Sequence, residues 1–111
     1  MGYIRNHCMV VSGYGDEIKA AHAKITALCA QRVTEGYQAY AGLVSPLLPH
    51  VANGCHSFMV GVDGSKEGWE PSNIMNEVRG EFVEYLKGTS LDWALILLGG
   101  DDNDFRIEAA P

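Results

Sequence analysis

Two hydrophobic patterns alternate along the chain and divide it into β-strands and helices. Continuously apolar or alternating stretches predict strands, and a spacing of three to four residues between apolar positions predicts helices. The predicted strands cover residues 3–12, 43–48, 55–62 and 91–98, with a short last strand at 105–109. The predicted helices cover residues 16–32 and 72–87.

This element order predicts an α+β fold of the ferredoxin-like split βαβ type (β-α-β-β-α-β) with an extra C-terminal strand. We expect a single domain over residues 1–111. Pro46 lies inside the strand predicted at 43–48, and proline favours an edge strand or a bulge because it lacks an N–H group. Asn53-Gly54 predicts a turn with positive φ ahead of the 55–62 strand.

The strand at 91–98 is apolar on both of its faces. Leu91, Trp93, Leu95 and Leu97 share one face, whereas the other carries Ala94, Ile96 and Leu98 beside Asp92. Helices of a two-layer fold cover only one face of the sheet, so the second apolar face needs another cover. We therefore expect a homodimer, the simplest way of covering that face.

Composition and charge exclude several classes of protein. The 111 residues are 47% hydrophobic with a net charge of −6, which argues against general nucleic-acid binding. No apolar run reaches the ~18 residues that a membrane span requires, and the N-terminus lacks a signal-peptide pattern. We expect a cytoplasmic protein without a cofactor, with Cys8, Cys29 and Cys55 reduced and buried.

The loop Asp63–Trp69 is the best candidate for a working surface. Asp63-Gly64-Ser65 suits a tight turn, but no turn requires the Lys66, Glu67 and Trp69 that follow. A tryptophan in a loop either packs onto the following helix start or serves recognition, and both interpretations remain open. The predicted ligand- or partner-binding residues are His7, Ser45, Ser57, Lys66, Glu67 and Trp69.

Metal binding and catalysis are weaker interpretations. The histidines and cysteines supply enough ligand types for zinc, but His7-Cys8 and Cys55-His56 are adjacent on strands and point to opposite faces. No nucleophile and base stand in a recognisable arrangement, so we predict no metal ligands and no catalytic residues. The acidic turn Asp101–Asp104 is interpreted as a solvated hairpin tip.

Several short motifs resemble a group of small proteins of tailed phages and prophages. The most specific is Asp63–Trp69, and the likeness covers most of the chain. The other shared motifs are Asn6-His7, Ser12, Ala21-His22-Ala23-Lys24, Val44-Ser45-Pro46, Asn53-Gly54, Ser57-Phe58 and Leu91-Asp92-Trp93. The chain departs from the group at Asn6, where relatives often carry a second histidine, and in extra residues around Thr34–Tyr40.

The resemblance implies a phage or prophage source and no particular mechanism. The first hypothesis is a non-catalytic accessory protein that binds a host protein, as in counter-defence. The second is a binding or sequestering protein for a small ligand such as a nucleotide signal, in which Trp69 stacks on a base and Lys66 contacts a phosphate. A small hydrolase is the weakest of the three hypotheses.

Overall fold

A computed structural model describes residues 2–111 and shows a five-stranded antiparallel sheet with two helices. The α+β class predicted from the sequence is therefore confirmed. In chain order the elements are β1 (Arg5–Tyr14), α1 (Gly15–Ala30), a 3₁₀ turn (Tyr40–Leu43), β2 (Leu48–Pro49), β3 (Cys55–Val60), α2 (Glu70–Lys87), β4 (Asp92–Gly100) and β5 (Phe105–Ala109).

The strand order is β2-β3-β1-β4-β5, so β1 lies at the centre of the sheet. Val11 of β1 lies opposite Phe58 of β3 on one side and opposite Trp93 of β4 on the other. Because side chains alternate along a strand, this register places three large apolar side chains on the same face of the sheet. That face supports the core.

Both helices pack on this face through apolar stripes at helical spacing. The α1 stripe contains Ile18, Ala21, Ile25 and Leu28, and α2 contributes Ile74, Met75, Val78, Phe82 and Leu86. Full burial of such a side chain stabilises the fold by about 1.5–3 kcal/mol. The sequence pattern predicted these stripes because their period differs clearly from that of the strands.

The prediction of a strand at 43–48 is wrong for most of these residues. The 3₁₀ turn ends at Leu43, Val44 forms an isolated bridge with Val60, and β2 comprises only Leu48–Pro49. Pro46 cannot donate to a strand partner, and the Ser45 hydroxyl instead accepts the amide hydrogen of Met59 at 2.8 Å. The region is thus tied to β3 by an isolated bridge and a few hydrogen bonds, including those that the Ser45 and Gly61 amides donate to the Met59 and Leu43 carbonyls at 2.9 and 2.8 Å.

The helix starts also differ from the sequence prediction. α1 begins at Gly15, at φ +69°, directly after β1, so neither Gly13 nor Gly15 separates the two elements by a loop. α2 begins at Glu70 with Pro71 in its first turn, ahead of the start predicted at residue 72. The predicted turn at Asn53-Gly54 is confirmed, with φ of 67° and 65°.

Within residues 2–111, neither helix combines the length and the apolar composition that a membrane crossing requires.

Candidate functional site

Three chain segments meet at one end of the sheet. β3 runs antiparallel to β1 with Val60 opposite Met9, so the loop that follows β3 passes beside the N-terminal residues. β4 also runs antiparallel to β1, with Gly100 opposite Arg5, which brings the 101–104 turn to the same end. The register of the central strand therefore assembles this end of the molecule.

Residues 2–4 bridge the loop and the turn. The Glu67 amide donates to the Tyr3 carbonyl at 2.7 Å. The Ile4 amide donates a hydrogen bond to the Asp101 carboxylate at 2.9 Å. The Asp101 amide donates another to the Ile4 carbonyl, also at 2.9 Å. The Tyr3 hydroxyl donates to Asp102. The acidic turn, predicted to be a solvated tip, thus anchors the N-terminal segment.

The aromatic side chain of the loop is held in place yet half exposed. Trp69 is the N-cap residue of α2, its carbonyl accepts the Asn73 amide at 3.0 Å, and 46% of its surface is exposed. The Lys66 ammonium lies 5.3 Å from the centre of the indole ring, a cation–π geometry. The stem of Lys66 also lies against Gly2, where any Cβ would collide with it. The loop therefore presents a preformed pair of one ring and one cation.

A buried ion pair holds the loop from beneath. The Asp63 carboxylate accepts hydrogen bonds from the Ser65 amide at 3.0 Å and the Ser65 hydroxyl at 2.6 Å. Its second oxygen lies 3.4 Å from an Arg79 guanidinium nitrogen, and another Arg79 nitrogen donates to Asn76 at 2.6 Å. Burial lowers the pKa of Arg79, an effect that the neighbouring Asp63 opposes. The pair connects the loop to α2.

The structure does not unite all six residues predicted for the site. Lys66, Glu67 and Trp69 share the loop, but His7 contacts Glu108 of β5, with 2.5 Å between Nδ1 and Oε1. Within residues 2–111, no hydrogen bond or ion pair joins His7 to the loop residues.

The two predicted serines lie toward the β2 edge and have local roles. The Ser45 hydroxyl accepts a hydrogen bond from the Met59 amide. The Ser45 carbonyl oxygen accepts a second hydrogen bond from a ring nitrogen of His22 at 2.8 Å. Ser57 bonds His50, which follows β2. These contacts stabilise the β2 region and do not extend to the Lys66–Trp69 loop.

Metal-ligating side chains are dispersed in the described part of the chain. No group of at least three His, Cys, Asp or Glu residues between positions 2 and 111 is arranged to hold a metal ion. All three cysteines are free; Cys8 and Cys29 are buried, whereas Cys55 is only partly buried, contrary to the prediction. Burial raises the pKa of the Cys8 and Cys29 thiols, which disfavours the nucleophilic thiolate.

Four cavities have linings that exclude Lys66 and Trp69, although one of them borders Asp63 and Pro71 on either side of the loop. Cavities of about 220 and 140 Å³ flank the Tyr37–Tyr40 segment, and the smaller one reaches Asp63. Two others of about 250 Å³ lie near Ser90 and near Ala94. None of these four is lined by Lys66 or Trp69. The side chains of Lys66 and Trp69 therefore lie outside these four cavities.

Arg79 is the main residue that the site prediction missed. It lies four residues after Met75 and three before Phe82, in the buried stripe of α2, and is only 3% exposed. A charged residue at a core position of a helix needs a buried partner, so this signal was present in the sequence. The sequence did not show that the partner is Asp63, which lies 16 residues earlier in the loop.

Comparison of the chain with protein-family models, curated proteins and solved structures gave no match.

Proposed function

We propose that the chain is a non-catalytic binding protein that recognises a protein partner through the Lys66–Trp69 loop. The observation that carries the proposal is a half-exposed indole, capped by a lysine ammonium, on a loop whose own bonds do not involve the ring. Exposed aromatic side chains held in a fixed position are typical anchors of protein interfaces. Such a surface needs little ordering on binding, which favours affinity.

The form of the surface favours a protein over a small ligand. Small-ligand sites usually enclose most of their ligand, and none of the four cavities described above is lined by Lys66 or Trp69. A base stacking on the Lys66 side of the Trp69 ring must also displace the ammonium. Ser45 and Ser57, invoked for a ligand pocket, bond elsewhere. A protein surface can use the ring edge, the cation and Glu67 together.

The resemblance to tailed-phage proteins gives this proposal its biological setting. A phage-encoded binding protein acts in the host cytoplasm, and its expected partner is a host protein. Counter-defence is the role that we propose for such an interaction. The net charge of −6 favours a partner whose binding surface is neutral or basic.

The experiment is affinity capture from host lysate followed by native mass spectrometry of the eluted complex. The baits are the wild-type chain, Trp69→Ala, Lys66→Met and Tyr37→Ala. Lys66→Met keeps most of the stem that packs on Gly2 and removes the charge. Tyr37→Ala is the matched control, because Tyr37 is similarly exposed at 52% and lines cavities that include neither Lys66 nor Trp69.

The proposal expects a polypeptide partner that wild type and Tyr37→Ala retain and that Trp69→Ala and Lys66→Met lose. Truncating a tryptophan about half of whose ~200 Å² is buried removes about 2.5 kcal/mol of stability, so the variant should remain folded. A co-purifying small mass in place of a polypeptide would favour the ligand hypothesis. Equal capture by all four baits would show that the loop is not the surface that binds the partner.

For the fold, we infer that the core is of the ferredoxin-like split βαβ type. The support is that β3 lies between β1 and β2, and that β1 also pairs with β4. The five-strand order differs from the four-strand arrangement by β5, which adds to the outer edge of β4. An experimental structure with a different order of the first four strands would contradict this inference.

A further inference from the structure

In the part of the chain that the structure describes, one face of the sheet has no helix packed on it. The face opposite the core, called the open face here, carries several exposed large apolar side chains. The strand register places Val10 beside Met59 and Leu98 beside Phe105, so these exposed side chains lie next to one another instead of being scattered over the face. The exposed members are Val10, Leu48, Met59, Leu98, Phe105 and Ile107. Ile96 and Ala94 fill the space between them and are partly buried.

The open face is almost free of charge although the chain is acidic. Among the paired strand residues of the described chain that register places on this face, Asp92 is the single charged one apart from Arg5, which pairs with Gly100 beyond a bulge at the opposite end. Asp92 lies at one end, in a row with Ser12 and Ser57. A contiguous apolar patch of this kind marks a contact surface. Its lack of charge argues against a strongly basic or acidic partner.

We propose that the open face binds the open face of a second copy of this chain. In chain order the strands have 10, 2, 6, 9 and 5 residues, so at about 3.3 Å per residue they average about 21 Å in length, and at a spacing of about 4.8 Å they give a face of roughly 500 Å². Two such faces bury roughly 1,000 Å², about the smallest area expected of a specific protein interface. A second copy brings a surface of the same size and the same lack of charge, so no buried charge is left unpaired at the centre.

The shape of the face is compatible with this packing. A depression of about 250 Å³ lies beside the small side chain of Ala94, with Val10 and Ser12 on its border. Side chains of facing sheets interdigitate in this way at a separation of about 10 Å. Repulsion between the acidic 101–104 turns favours the two-fold axis that runs across the strands and puts the turns at opposite ends of the dimer.

The test is sedimentation velocity of the intact chain at micromolar concentration. Wild type should sediment as two copies of the 12.0 kDa chain. Ile107→Glu, at a position 65% exposed in one copy, should raise the dimer Kd by about a hundredfold, because the symmetry buries the new carboxylate twice. Val33→Glu, 83% exposed and outside the sheet, is the matched control and should remain dimeric. A monomeric wild type overturns the proposal, and so does a folded Ile107→Glu variant that still dimerises.

A second measurement needs no variant. Met59 lies near the centre of the open face and is partly exposed in one copy. Its oxidation by dilute peroxide should slow severalfold when the protein is concentrated into the dimeric range. An unchanged oxidation rate in a proven dimer would place the contact elsewhere, for example at the edge of β5, and would overturn the assignment. Dimer formation and partner capture use different residues, so this proposal can fail without the proposed function failing.

Discussion

The buried pair of Asp63 and Arg79 provides the sharpest test of how the Lys66–Trp69 loop is held. Asp63→Asn removes a charge but keeps an oxygen that can accept both Ser65 hydrogen bonds. Arg79→Met replaces the guanidinium with apolar atoms that the core can accommodate. The double variant leaves two neutral side chains facing each other. Together with wild type these proteins form a double-mutant cycle.

The structure gives the expected magnitudes. The side chains of Arg79 and Asp63 are only 4% and 8% exposed, so removal of either partner leaves a charge with little access to water. At 3.4 Å and an effective dielectric constant of about 20, the attraction is about 5 kcal/mol before the cost of desolvation. We expect Arg79→Met to lower the free energy of unfolding by about 3–5 kcal/mol. The coupling energy should be about 1–3 kcal/mol, with the double variant less destabilised than the sum of the single ones.

Urea denaturation measures the four free energies, and an exposed ion pair supplies the control. Arg106 and Asp104 form such a pair, with side chains 49% and 48% exposed. The corresponding cycle of Asp104→Asn and Arg106→Met should give a coupling of at most about 1 kcal/mol. If the Asp63–Arg79 cycle is additive within about 0.5 kcal/mol, the pair does not couple the loop to α2 and the reasoning is wrong.

Hydrogen exchange connects this stability test to the surface. The Glu67 amide is bonded to the Tyr3 carbonyl, so its exchange rate reports the position of the loop. In Asp63→Asn this amide should exchange faster, whereas amides in the centre of β1 should change only with global stability. Equal acceleration at both places would mean that the pair stabilises the whole fold and has no specific role in the loop.

Three further predictions concern thiols and glycines. Cys55 should react with a thiol reagent before Cys8 and Cys29 in the folded protein, as measured by mass spectrometry after brief labelling. Burial raises the pKa of Cys8 and Cys29, so thiolate formation favours the unfolded chain. The free energy of unfolding should therefore fall as pH rises above about 8.5. A variant with both cysteines replaced by alanine should lose less stability over that range. Gly100→Ala should destabilise strongly in thermal melts, since φ is +112° and the new Cβ would lie 2.2 Å from the Ile4 carbonyl oxygen. Gly36→Ala, at φ +85° with open space around it, should cost only about 1 kcal/mol, and equal effects at both glycines would contradict the role assigned to the contact.

The sequence predicted the elements that have strong periodicity. α1, α2, β1, β3 and β4 lie near their expected positions because each has an apolar face with one clear period. The region between α1 and β3 was predicted poorly. There Pro46 and Pro49 remove N–H donors, and the chain is held by a few separate hydrogen bonds such as the two between Ser45 and Met59. Contacts of this kind depend on tertiary structure and leave no periodic signal.

The candidate site was predictable only where its residues are neighbours in the sequence. Lys66, Glu67 and Trp69 are neighbours in sequence, so any fold that exposes the loop keeps them together. His7 pairs with Glu108, which is 101 residues later in the chain, and the β4–β5 register that makes this contact possible includes a bulge. A one-residue shift of register reverses the faces of a strand, so a sequence pattern alone cannot place Glu108 beside His7.

The two proposed surfaces lie on different parts of the same sheet, which makes their roles separable. The Lys66–Trp69 loop lies at the end where Arg5 meets Gly100, whereas the open face is formed by side chains along the strands. Dimerisation through the open face with the two-fold axis across the strands would place the two loops at opposite ends. Such a dimer presents two recognition loops facing away from each other, an arrangement that strengthens binding only to a partner that is itself repeated. Ile107→Glu should then abolish the gain from bivalency without changing the affinity of a single loop. Trp69→Ala should weaken the affinity of each loop and leave the dimer intact.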